Sequence, residues 1–314
     1  MGLMAVYLSL STLEDPDIVD TVMTALGGAD DRGGVHIGIA ATVGDNFYKE
    51  ILAPLETINN VAVTRLDPIA HRGIGYGRNS ARFAYDDEDY ILQVDSHTNF
   101  LDGWDTSIVN TYLRAKEEVD GPVLITGYLA PHIKRDGIVL TMGLRPRYSV
   151  YVDRNIRPRI RLKEWMKFPI SDFPKQYHGY IDMEFIPANK IGANFTLGDR
   201  SWSTESGLPK ETVFWEEEVV QSINLLESGF SLVFPNVDIP LTHRYYGEGE
   251  DLTRQAADRL YDSVSIIDNK IAANLERFII DNPDACSRYA VYSGYDLATT
   301  ALSGKIIPDS YDYR

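Results

Sequence analysis

Asp95, Ser96 and His97 follow directly on the apolar run Tyr90–Val94, so an acid and an imidazole two residues apart stand at the end of a strand. Aspartate oxygen and imidazole nitrogen together suit Mn²⁺ or a related divalent ion. The same triplet also reads as a turn-capping Asp beside a surface His. A second concentration of chemistry lies between Lys134 and Lys167, where ten Lys/Arg face three Asp/Glu for a local charge of +7. There Arg157, Arg159, Arg161 and Lys163 alternate with Ile156, Pro158, Ile160 and Leu162. A period of two puts the four charges on one strand face. Trp165, Tyr148, Tyr151 and Phe168 lie close by. The strip fits a groove for a polyanion, with phosphate contacts and aromatic stacking; it also fits a solvated strand face paired with the chain's many acids.

The elements that must position these residues alternate. Met4–Ser11 is a run of strand length, and Asp15-Pro16 supplies an N-cap and a first-turn proline. Ile18, Val19, Val22, Met23 and Leu26 then recur at helical spacing until Gly27-Gly28. Strands follow over Val35–Val43, Asn60–Leu66, Tyr90–Val94 and Pro122–Thr126, with helices over Phe47–Leu55, Gly75–Tyr85 and Asp105–Lys116. This is the signature of an α/β, mostly parallel sheet with helices on both faces, whose ligands sit beyond the carboxyl ends of the strands. From Gly137 the chain reads as strands (Ile138–Leu144, Arg147–Val152, Ile156–Lys163), a basic β-rich insertion of about residues 134–175. A helix at Glu216–Glu227 and a strand at Ser231–Phe234 precede a helical segment, Leu252–Ile280, ended by Pro283.

The stretch GIGYGRNSARFAYDDEDYILQVDSHTNFLDGWD, Gly73 to Asp105, resembles the Skp1-type GlcNAc transferase family of GT-A (Rossmann-like) glycosyltransferases. That family carries a G-P-x-x-A-R segment, then E-x-Y-x-L-Q-I-D-S-H-x-x-F, then W-D. Glu88, Tyr90, Leu92, Gln93, Asp95, Ser96, His97, Phe100, Trp104 and Asp105 fall in register, with Arg78 on the family arginine. Tyr7–Pro16 resembles the opening strand and S-Y-R-D-P turn, with Thr12, Leu13 and Glu14 replacing Ser, Tyr and Arg. Leu124–Pro131, the Trp215-Glu216-Glu217-Glu218 segment and Thr242–Tyr245 (THRY) resemble later family segments.

The resemblance implies a metal site of Asp95, His97 and His243 holding Mn²⁺, with Mg²⁺ the alternative, against the diphosphate of a nucleotide-sugar donor. It makes Thr12, Arg78, Asp95, Ser96 and Asn194 donor-binding residues, Arg78 by a bidentate phosphate contact. It makes one of Glu217 and Glu218, at a helix start where carboxylates are favoured, the catalytic carboxylate that contacts acceptor or sugar, with Glu218 chosen on register. The charge pattern of the basic strip, and not the resemblance, makes Arg157, Arg159, Arg161, Lys163 and Trp165 acceptor-binding residues. The implied activity is metal-dependent transfer of GlcNAc or a hexose, from a UDP-linked donor, to a hydroxyl on a macromolecule. A hydroxymethylated pyrimidine in phage-type DNA and a hydroxylated protein side chain are the two acceptors considered. A glycoside hydrolase pairing Glu217 with Asp95, or a non-catalytic sugar- or nucleotide-binding module, are the alternatives.

Composition bounds the rest. With 314 residues, 44% hydrophobic and 24% charged, the chain is neither disordered nor low-complexity. A net charge of -16 argues against coating nucleic acid with the whole surface, and focuses any such contact on the basic strip. The single cysteine, Cys286, excludes an intrachain disulfide and any Cys-based zinc site. No apolar run reaches bilayer length, so the expectation is a cytoplasmic protein with no membrane partner, in the host cytoplasm if phage-encoded. The expected organisation is a GT-A domain over residues 1–246 and a C-terminal helical extension over 247–314.

Overall fold

The computed structural model describes residues 4–68, 73–86, 88–135, 138–146, 148–150, 166–168, 183–188, 190–202, 211–214, 216–245 and 264–293. Fourteen strands are β1 (Val6–Thr12), β2 (Val35–Thr42), β3 (Val61–Leu66), β4 (Tyr90–Asp95), β5 (Thr98–Phe100), β6 (Val123–Thr126), β7 (Ala130–Arg135), β8 (Ile138–Thr141), β9 (Tyr148–Val150), β10 (Met166–Phe168), β11 (Phe185–Pro187), β12 (Phe195–Asp199), β13 (Ser231–Pro235) and β14 (Leu241–Arg244) among the described residues. The longer helices are α1 (Ile18–Gly28), α2 (Ile74–Ala81), α3 (Trp104–Glu118), α4 (Glu216–Glu227), α5 (Val264–Asp281) and α6 (Pro283–Ser293).

Eight strands form one sheet in the order β11-β13-β6-β12-β4-β1-β2-β3. β3, β2, β1 and β4 run parallel, as do β6 and β13, while β12 enters antiparallel between β4 and β6. A second sheet, β5-β14-β7-β8, stands at the carboxyl end of β4, and β9 pairs with β10.

The two faces of the large sheet differ in chemistry because side chains alternate along each strand. Val6, Leu8 and Leu10 of β1, Leu92 and Val94 of β4, and Val123 and Ile125 of β6 pack against α1 and α3 through Val22, Leu26, Trp104, Ile108 and Tyr112. Each such fully buried aliphatic side chain contributes about 1.5–3 kcal/mol, so this layer fixes the strand ends. The opposite face begins apolar, with Tyr7, Ile91 and Leu124 against Trp202 and Leu225. It then turns polar: Ser9, Gln93, Thr196 and Thr126 form one row across β1, β4, β12 and β6, all buried.

Several boundaries differ from expectation for identifiable reasons. The expected helix at Phe47–Leu55 is broken into a short helical turn at Asp45–Phe47 and a π-helical turn at Tyr48–Leu52. α1 starts at Ile18 with Asp17, not Asp15, at its N-cap position, because the Asp15 carboxylate is drawn inward. Pro283 does not merely end the C-terminal helix but opens α6, as proline does at a first helical position. α5 and α6 pack on α4 through Ile271, Leu275, Cys286 and Tyr289 against Val219, Val220 and Ile223, so the helical extension shares a core with the rest. Among the described residues no helix is long and apolar enough to cross a membrane.

Candidate functional site

β4 ends at Asp95, and the next residues turn into β5, which pairs with β14 so that Thr98 lies opposite His243. The Thr21 hydroxyl of α1 donates to Ser96 O at 2.7 Å and accepts from Thr98 N at 3.1 Å. Thr98 Oγ1 donates to Asp95 O at 2.9 Å, and the Arg244 N–H donates to His97 O at 3.0 Å. The turn is thus tied on both sides, and it brings together residues 148 positions apart in the chain. Asp95, His97 and His243 each offer a ligand atom, and these atoms lie within 4.8 Å of one another. The His97 and His243 rings meet edge to face at 4.5 Å, and Tyr245 tilts against His243 at 4.3 Å.

Charge is held on this cluster by neighbours. Burial alone would raise the Asp95 carboxyl, but the His243 Nε2 hydrogen bond at 3.0 Å and the Arg78 guanidinium at 3.0 Å hold it well below the usual carboxylate range. Burial also disfavours a charged His97, yet the Asp15 hydrogen bond and the Asp15 and Asp95 charges raise it above the usual histidine range. His132, on β7 with its ring hydrogen-bonded to Thr242, is pushed down to about 4 by burial. One carboxylate and two imidazoles fit a divalent ion of the Mn²⁺ type, which takes mixed oxygen and nitrogen donors.

Arg78, on α2, is 3% exposed and reaches inward rather than out to solvent. Its Nη2 contacts Asp95 and its Nε contacts Glu217, both at 3.0 Å, so one guanidinium bridges β4 to the first turn of α4. Nη1 is buried with no hydrogen-bond partner among the described residues. Burial pushes Glu217 up to about 8 despite Arg78, with the Glu218, Asp95 and Glu216 charges adding to the rise.

The three glutamates that open α4 have separate partners. Glu216 accepts from its own approach segment, the N–H groups of Val213 and Phe214. Glu218 accepts from the Tyr128 hydroxyl at 2.7 and 2.8 Å and from Ala193 N at 3.0 Å, and pairs with the buried Lys190 ammonium. Asn194, one residue on, donates from Nδ2 to the Tyr245 hydroxyl at 3.0 Å and accepts from Leu129 N at 3.3 Å. Gly192 is required there, since a Cβ would stand 2.4 Å from Gly127 O. Asn194 is therefore the floor of a loop tied to both Glu218 and the His243 strand.

The other sequence-derived residues fall as follows. Thr12 ends β1, and its hydroxyl accepts from Asp15 N at 3.3 Å; the Ser96 hydroxyl donates to Asp15 Oδ2 at 2.8 Å. Trp104 and Asp105 are structural: the indole donates to Ala25 O, and the carboxylate accepts from Asp30 N and Asp31 N at 2.8 and 2.9 Å. Arg157, Arg159, Arg161, Lys163 and Trp165 lie outside the described residues. Sequence reasoning missed Lys190 and the role of Asp15. Lys190 carries no signal beyond its place three residues before Ala193.

Residues 8–135 match the family model described as Glycosyltransferase (GlcNAc), a span that contains Asp15, Arg78, Asp95 and His97. No curated protein sequence matches the chain. Among solved structures, a crystal structure of GalNAc-T7 with UDP, GalNAc and Mn²⁺ superposes with a TM-score of 0.57 at 12% identity, over 94% of this chain and 59% of that one. The chain thus spans about three fifths of that structure. A crystal structure of S. aureus TarS 1–349 aligns with a TM-score of 0.49 at 9% identity, over 96% of this chain and 88% of that one. The mixed α/β architecture, with its large and mainly parallel sheet, is the GT-A fold. The match over residues 8–135 is to a glycosyltransferase family model, and the likeness to the solved structure is one of fold.

Proposed function

We propose that the chain is a metal-dependent glycosyltransferase that moves GlcNAc or a hexose from a UDP-linked donor to a hydroxyl on a macromolecule. The observation that carries this reading is the convergence of Asp95, His97 and His243 beyond the carboxyl end of β4, where ligands of such sheets bind. A divalent ion bound there supplies Lewis-acid neutralisation of the charge that develops on a leaving diphosphate. Asp95 at the end of β4, His97 in the turn that follows it and His243 on β14 would hold that ion. Thr12 and Ser96 border the same site at the ends of β1 and β4.

In this reading Arg78 fixes Asp95 and Glu217 together, and its buried Nη1, without a partner among the described residues, is left for a donor contact. Glu217, which burial keeps protonated at neutral pH, is available to orient the donor sugar, and Glu218 to orient it or to take the acceptor proton. Glu218 also holds the Ala193–Asn194 loop in place. A hydrolase working with Glu217 and Asp95 as an acid pair fits less well, because one guanidinium bridges the two. The basic strip Arg157, Arg159, Arg161 and Lys163, with Trp165, supports DNA carrying a hydroxymethylated pyrimidine as the acceptor over a hydroxylated protein side chain.

The test is incubation with Mn²⁺, a panel of nucleotide sugars, and hydroxymethylcytosine-containing or unmodified DNA in parallel, with mass spectrometry of the digested nucleosides. A hexose or HexNAc mass on the hydroxymethyl base alone is the expected result. Donor hydrolysis without modified DNA moves the acceptor to protein hydroxyls. No turnover of any donor overturns the transferase reading in favour of a binding module.

A further inference from the structure

Asp15 belongs to none of the ligand sets above, yet it is among the most constrained carboxylates in the molecule. It is 1% exposed and lies in the turn between β1 and α1. Its Oδ2 accepts from His97 Nδ1 at 2.7 Å and from the Ser96 hydroxyl at 2.8 Å, and its Oδ1 accepts from Asp17 N at 3.0 Å. Its own N–H is bound by Thr12 Oγ1 at 3.3 Å. The preceding residue, Glu14, has φ of 49°, a left-handed conformation that a non-glycine side chain adopts only when the surroundings impose it. The turn is shaped to carry this carboxylate inward, beneath the His97 ring.

We propose that Asp15 is a positioning residue that fixes the tautomer and ring angle of His97 so that its Nε2 lone pair is presented to the divalent ion. This rests on the metal-site reading given above. A carboxylate only accepts, so the neutral ring must carry its proton on Nδ1, and the lone pair then lies on Nε2. A neutral histidine side chain in water prefers the opposite tautomer, with the proton on Nε2, which cannot ligate through that atom. Ligating histidines commonly donate their other ring N–H to an acceptor of this kind, which orients the ring and raises its basicity. Ser96 gains a definite task as well: its hydroxyl occupies the second lone pair of Oδ2 and holds the carboxylate plane against rotation.

The experiment uses the full chain and two variants, Asp15→Ala and the near-isosteric Asp15→Asn. The amide of Asp15→Asn must present a donor to either His97 or the Asp17 N–H, so it cannot replace the carboxylate. The ring tautomer is read from long-range ¹H–¹⁵N spectra of the metal-free protein, at a pH above the titration of His97. Mn²⁺ affinity is read by calorimetry, with thermal melting and circular dichroism to confirm folding. The expected result is an Nδ1–H ring in the wild type, a shift toward Nε2–H in the variants, and Mn²⁺ affinity lower by about 10- to 100-fold. Unchanged affinity in a folded variant overturns the proposal. So does a wild-type ring protonated on Nε2, and that measurement stands even if both variants fail to fold. If wild-type protein and His97→Ala bind Mn²⁺ equally well, or neither binds it, the metal site itself fails, independently of the Asp15 tautomer result.

Discussion

Replacing Arg78 by Met tests the electrostatic core of the site more directly than removing any ligand. The guanidinium faces Asp95 and Glu217, each at 3.0 Å, and the side chains of Arg78 and Glu217 are both only 4% exposed. Met keeps much of the stem volume and removes the hydrogen bonds to both carboxyl groups. Hydrogen bonds involving a charged group are worth about 1.5–3 kcal/mol each, so a loss of roughly 3–5 kcal/mol at neutral pH follows. The cost must then depend on pH in a specified direction. Burial already pushes the Glu217 carboxyl up to about 8 with Arg78 in place, and without that cation it rises further. A carboxyl raised above its unfolded value stabilises the fold while protonated and loses that contribution as pH climbs through the folded value. Below about pH 8 Glu217 is mainly protonated in both proteins, and the penalty is flat. Above it the wild type ionises Glu217 beside Arg78 while the variant cannot, and the penalty grows by up to about 1.4 kcal/mol per pH unit.

Urea unfolding of wild type, Arg78→Met, Glu217→Gln and the double variant, from about pH 6 to about pH 10, separates these terms. In the Glu217→Gln background the Arg78→Met penalty should be smaller and lose its rise above pH 8. A penalty that is flat across the whole range, or that falls as pH rises, would refute this account of the Arg78–Glu217 contact.

Further outcomes follow from individual contacts. Mn²⁺ at about 100 times its dissociation constant should stabilise the wild type by about 2.7 kcal/mol in a thermal-shift titration, and Asp95→Ala and His97→Ala should lose that effect. Asp105→Ala removes the acceptor for two backbone N–H groups and should cost about 1–3 kcal/mol in chemical unfolding while leaving Mn²⁺ affinity unchanged. Gly38→Ala would set a Cβ 1.7 Å from the Tyr7 hydroxyl and 2.4 Å from Ala81 O, so a loss of about 3 kcal/mol or more is expected by urea unfolding. Charge reversal at Arg157, Arg159 and Arg161 should weaken DNA binding and flatten its salt dependence in a filter or anisotropy titration.

What is legible in the sequence is what local pattern encodes. Alternating apolar runs locate β1 to β4 and β6 within a residue or two, and the apolar run Tyr90–Val94 by itself puts Asp95–His97 at a strand end. The register of β12, and hence the antiparallel insertion that splits the parallel strands, is not legible. Phe195–Asp199 is short, follows a glycine-containing turn, and owes its place to pairing with two strands far away in sequence. The His243 contribution is accessible only through family resemblance, because nothing local links β14 to a turn 146 to 148 residues earlier.

Asp15 shows why partner identity is the harder inference. An Asp-Pro pair before an amphipathic run is a helix-start signal, and the helix does begin nearby, at Ile18. A carboxylate, however, goes to the donors that most need it. Exposed backbone N–H groups at a helix start can bond to water, whereas the His97 N–H, on a side chain 12% exposed, has little access to it. Asp17 N at the helix start is still served, through the second carboxylate oxygen. The same comparison explains Arg78. The packing of α2 against the polar face of the sheet leaves the partly buried Asp95 and the buried Glu217 facing it, and the guanidinium turns to them. In both cases the backbone position is readable from pattern, and the atom each side chain serves is decided by which buried group would otherwise lack a partner.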